Sequence, residues 1–78
     1  MGFVRPPRIP VCQPAEIIFG GERTPVGCTV RNLSANGACL EFASASEAPA
    51  SIFLILNHRK YNCRVIWRTD DRLGVTFQ

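Results

Sequence analysis

The chain has 78 residues, 46% of them apolar and 19% charged, and a formal net charge of +3. That length accommodates one domain and excludes two, and its core must be thin. No apolar run reaches bilayer-spanning length, and the opening MGFVRPPRIP has neither an apolar stretch of signal-peptide length nor a small-residue cleavage site, so a cytoplasmic protein without a membrane span is expected.

Residues 1–9 read as a flexible basic arm around Arg5-Pro6-Pro7-Arg8, and residues 10–78 as one barrel domain. Paired prolines favour an extended, solvated conformation, which places two guanidinium groups on a semi-rigid tether. Such groups grip phosphate in bidentate fashion and stack on flat rings. An isolated arginine pair is nonetheless more often a solvated tail.

Strand signals follow in quick succession. AEIIF ends at Gly20-Gly21, a turn signal, and TPVGCTVRNL sets Val26, Cys28 and Val30 on one face. GACLEF alternates again, with Ala38, Leu40 and Phe42 opposite Cys39 and Glu41. Helical periodicity is nearly absent, and the one plausible helical turn, SASEAPA, is broken by Pro49. SIFLIL is short and wholly apolar after its serine, as a core strand would be. After the polar break Asn57-His58-Arg59-Lys60, YNCRVIWR places Cys63, Val65 and Trp67 inward against Arg64, Ile66 and Arg68. The turn Thr69–Arg72 leads into LGVTF, with Leu73, Val75 and Phe77 on one face. Six short strands in so few residues imply a small all-β barrel or sandwich, since closure removes exposed edges.

The cysteines, Cys12, Cys28, Cys39 and Cys63, include no C-x-x-C pair, and His58 has no cysteine near it in sequence. Structural zinc sites draw on closely spaced ligand pairs, so these thiols read as small buried hydrophobes and no metal is expected. The aromatic residues fall at strand period and read as core rather than as a base-stacking stripe. No converging acids and histidines, nucleophile elbow or phosphate loop is visible, which points to a binding domain and not an enzyme.

One polar segment remains, Asn32-Leu33-Ser34-Ala35-Asn36-Gly37 between the second and third strands. By composition it is a β-turn closed by side-chain-to-backbone hydrogen bonds. The wider stretch VRNLSANGACLEF, however, resembles the [D/N]-x-S-x-x-G motif of the PilZ family, with Asn32, Ser34 and Gly37 at the matching positions. CRVIWRTDDRLGVTF is similar to the closing strand pair of that family, and an arginine pair ahead of the first strand is its third feature. The resemblance runs from Arg5 to Phe77 in the family's order.

It implies a six-stranded antiparallel β-barrel that binds cyclic di-GMP, without the C-terminal helix many members carry and without a further cofactor. By the same resemblance Arg5 and Arg8 clamp phosphates and stack on guanine. Asn32 and Ser34 hydrogen-bond the ligand from the barrel surface, and Gly37 leaves room for it. A downstream protein or neighbouring domain would read the bound state. Arg5 and Arg8 are separated by two prolines where the family usually has three residues, so the alternative is a PilZ-like module that binds protein without nucleotide. A nucleic-acid partner would need a continuous basic face from Arg59, Lys60, Arg64, Arg68 and Arg72, and Asp70 and Asp71 interrupt it.

Overall fold

In the computed structural model, residues 9–19 and 24–78 are described. Six strands, β1 (Ile9–Phe19), β2 (Val26–Leu33), β3 (Gly37–Glu41), β4 (Ser51–Leu56), β5 (Arg59–Arg68) and β6 (Arg72–Phe77), form a closed barrel in the order β1-β2-β3-β6-β5-β4. Every pairing is antiparallel. The all-β barrel expected from the sequence is therefore present. The arm residues Arg5 and Arg8, and the Gly20-Gly21 turn, lie outside the described residues.

The alternation that suggested the strands also builds the interior. Ile17, Val30, Leu40, Ile52, Leu54 and Leu73 are almost wholly buried and meet inside the barrel with Cys63. SIFLIL shows why a continuous apolar run need not be buried on both faces: Ile52, Leu54 and Leu56 point inward, while Phe53 and Ile55 are half-buried outside. Lys60 covers the Phe53 ring at 4.2 Å from its centroid. Past β3 the chain makes one 3-10 turn, Ala45–Glu47, ending ahead of Pro49 as the sequence suggests. Ala45, Ala48 and Phe42 are buried there, with the Phe42 ring 6.1 Å from that of Phe19.

Strand β1 begins earlier than AEIIF, because Pro10 and Pro14 do not break it. Between Ile9 and Ala15 the strand pairs only with β2, and its pairing with β4 is confined to Glu16–Phe19. A strand bonded on one side tolerates the missing proline N–H. At the opposite hairpin, Asn57 and His58 have φ of 52° and 66°, the left-handed pair that a two-residue turn between twisted strands requires. Among the described residues no helix is long and apolar enough to cross a membrane.

Candidate functional site

Two irregularities in the sheet create the site. Between β2 and β3 the register passes from Val30↔Leu40 to Asn32↔Cys39, leaving Arg31 as an extra residue. Between β5 and β6 it passes from Val65↔Val75 to Trp67↔Gly74, leaving Ile66 extra. A bulge of this kind re-aims the side chains beyond it. By plain alternation Asn32 would follow Val30 into the core, and Trp67 would follow Val65. Both instead face outward.

The expectation that Trp67 points inward is thus corrected. Gly74 lies between the buried core residues Leu73 and Val75, so its open side faces out, and the indole of Trp67 rests on that side. Trp67 keeps 38% of its surface exposed and Ile66 keeps 56%. Cys39, between the inward Ala38 and Leu40, also faces outward, although it is buried. Across the outside of the barrel runs one row: Pro10, Asn32, Cys39, Gly74, Trp67.

The β2–β3 turn closes one end of this face. The Ser34 hydroxyl accepts from the backbone N–H groups of Asn36 and Gly37, at 3.3 and 3.2 Å, and donates to the Gly37 carbonyl at 3.3 Å. Strand β6 then staples the turn: the Asn36 carbonyl accepts from Phe77 N at 2.7 Å and from Thr76 Oγ1 at 3.1 Å. Gly37 has a packing reason for lacking a side chain, because a Cβ there would run into the Val75 carbonyl oxygen. Ser34 and Gly37 therefore shape and hold the turn. Asn32 differs: its half-buried side chain makes no hydrogen bond among the described residues, so its amide is free to donate and accept.

Turn and indole enclose a shallow depression of about 100 Å³, lined by Ser34, Asn36, Ile66, Trp67 and Thr76 among others. Pockets that enclose an organic ligand are typically about 300–1,000 Å³. This site is consequently a platform, on which a flat ligand would lie with one face uncovered.

Charge near the platform is unevenly available. Glu41 is flanked by Arg31 at 3.7 Å and Arg72 at 3.5 Å, in long, partly exposed ion pairs that engage one nitrogen of each guanidinium and hold it weakly. Arg64, opposite Thr76 in the register, is exposed and has no ion pair among the described residues. None of the four cysteines forms a disulfide among the described residues; burial pushes Cys28 up to about 12 and Cys63 up to about 11, which suits inert core groups. No cluster of metal-ligating side chains occurs among the described residues.

Of the five site residues expected from the sequence, Ser34 and Gly37 line the depression, Asn32 lies on β2 just ahead of the turn and outside that lining, and Arg5 and Arg8 lie outside the described residues. Trp67 was missed. Its signals were the three successive apolar residues Val65-Ile66-Trp67, which break the alternation, and a glycine inside β6, which marks a close approach.

Among solved structures the chain is similar to the PilZ domain of CeSA from a cellulose-synthesizing bacterium, at 19% identity and a TM-score of 0.68, over 91% of this chain and 79% of that one. That likeness is one of fold. No curated protein matches the chain. The family model for the PilZ domain matches residues 3–78, which takes in the arm, the Asn32–Gly37 turn and the closing strand pair, and the chain belongs to the PilZ domain family.

Proposed function

We propose that this domain is a non-catalytic receptor for cyclic di-GMP, and that it passes the bound state to a protein partner. The observation that carries the reading is the Trp67 indole, turned out by the β5 bulge to line the depression beside the Ser34-locked turn, with Asn32 turned out of the core on β2 just ahead of that turn. Each suits one part of a guanine nucleotide. The exposed indole face offers a stacking plane for a purine. The Asn32 amide, without a hydrogen bond among the described residues, offers a donor and an acceptor to a base edge or a phosphate.

The platform covers only one side of such a ligand, and among the described residues the exposed Arg64, paired with Thr76 in the register, offers a cation on the barrel. In this reading Arg5 and Arg8 supply the second side, clamping the phosphates and stacking on the outer base, and ordering of the arm is the signal.

Calorimetric titration with cyclic di-GMP tests this, beside Arg8→Ala, Asn32→Ala and Trp67→Ala. Loss of one base-stacking partner is worth roughly 1–3 kcal/mol, so Trp67→Ala should weaken binding by about tenfold or more. No heat from the unmodified domain at tens of micromolar ligand would reject the nucleotide and favour the protein-binding alternative, to which the two-proline arginine spacing points. Binding that survives all three substitutions would keep the ligand and reject the site.

A further inference from the structure

The platform is useful only if the indole is held flat, and one residue decides that. Gly74 is buried although its side-chain direction points out of the barrel, because Trp67 lies over it. A Cβ built at Gly74 would fall inside 3.0 Å of Cε2, Nε1 and Cδ1 of the indole, so the ring sits against bare backbone. We infer that Gly74 is a positioning residue of the ligand site: by having no side chain it seats the Trp67 indole against β6 and fixes the plane on which a purine stacks. The inference rests on the nucleotide-binding reading above and adds to it what sets the geometry of the stacking plane.

The two buried glycines on this face differ in what a methyl group would meet. At Gly37 it would meet the Val75 carbonyl oxygen, which belongs to a paired strand and cannot yield without shifting β6. At Gly74 the atoms nearest the new methyl group all belong to the half-exposed Trp67 side chain, which can swing into solvent. Gly74→Ala therefore leaves the barrel intact and displaces the ring. Movement of the indole off β6 removes a stacking surface and leaves the Asn32 amide and the turn in place.

The full chain carries a single tryptophan, so indole emission reports this position alone. The experiment compares the unmodified chain, Gly74→Ala, Trp67→Ala and the double variant, each titrated with cyclic di-GMP by calorimetry and checked by far-ultraviolet circular dichroism. Gly74→Ala should keep the β-sheet spectrum, shift indole emission to longer wavelength without ligand, and weaken binding by about tenfold, as loss of one stacked base would. In the Trp67→Ala background the same substitution should change affinity no further. Unchanged affinity in Gly74→Ala overturns the inference, and so does an equal loss in both backgrounds, which would mean the glycine acts other than through the ring. If the unmodified chain gives no binding heat, the nucleotide reading falls and the recognition half of this inference falls with it. The seating half is then decided by emission: a shift in Gly74→Ala upholds it, and an unshifted spectrum rejects it.

Discussion

Strand β5 has two halves that behave differently. From Arg59 to Arg64 it pairs with β4 through six uninterrupted partners, Ser51↔Arg64 to Leu56↔Arg59, and each inward residue does what its place in the alternation requires. From Val65 to Arg68 it pairs with β6 around an extra residue, and the alternation reverses. The regular half is devoted to the interior: Cys63 and Tyr61 turn toward Ile52 and Leu54. The bulged half carries Trp67 to the surface. Strands β2 and β3 repeat the pattern, regular at Thr29↔Glu41 and Val30↔Leu40, then bulged so that Asn32 turns out. Stability and, in the proposed reading, recognition are thus divided along single strands, with the bulge as the boundary.

That division can be broken or sharpened by substitution. The largest effect belongs to the regular half. Leu54, fully buried opposite Tyr61, should cost about 2–5 kcal/mol when truncated to alanine, by chemical denaturation. Gly37→Ala comes next, at about 1–3 kcal/mol, since the added methyl group forces the β3–β6 backbone apart. Trp67→Ala, in contrast, should change stability by less than about 1 kcal/mol while it reduces ligand affinity. If its denaturation midpoint fell as far as that of Leu54→Ala, recognition and stability would share one residue and the division would fail.

A further effect concerns alkaline pH. Burial raises Cys28 to about 12 and Cys63 to about 11, from an ordinary 9.0, with Glu16 adding to the rise at Cys28. In the unfolded chain these thiols ionise near 9, so between that pH and 11–12 the unfolded state binds fewer protons than the folded one. Stability from this source is complete below pH 9 and declines as pH rises through the window. Denaturation midpoints from pH 8 to 10.5 should fall more gently in Cys28→Ala than in the unmodified chain. Equal slopes would show that the thiol does not contribute.

The sequence revealed the regular parts of this molecule and concealed the irregular ones, for a physical reason. Alternation of apolar and polar residues specifies a strand only while each residue has one partner. Leu73, Val75 and Val30 could be placed on that rule, as could five of the strands to within a few residues. Trp67 could not, since a period of two run through Ile66 predicts the wrong face. Strand β1 was legible only from AEIIF onward because Pro10 and Pro14 speak against a strand unless one of its sides is known to be unpaired. For the site, motif resemblance located Asn32, Ser34 and Gly37. The compositional reading of the segment as a turn closed by side-chain-to-backbone bonds anticipated the engagement of Ser34, whereas that Gly37 makes way for Val75 could not be read, because it depends on how β6 lies against β3.

One consequence of closure concerns the chain's tendency to aggregate. β4 is flanked by β5 on one side and, on the other, by β1 through only four residue pairs, Glu16↔Ile55 to Phe19↔Ile52. Its sequence SIFLIL contains no charge, proline or glycine, the composition from which intermolecular cross-β stacks nucleate. While the barrel is shut, both edges of that segment are satisfied. Parting of the short β1 seam would present a bare, uncharged template to the next molecule. Substitutions that loosen Glu16–Phe19 should therefore reveal themselves as fibrils and precipitate before they register as lost ligand affinity.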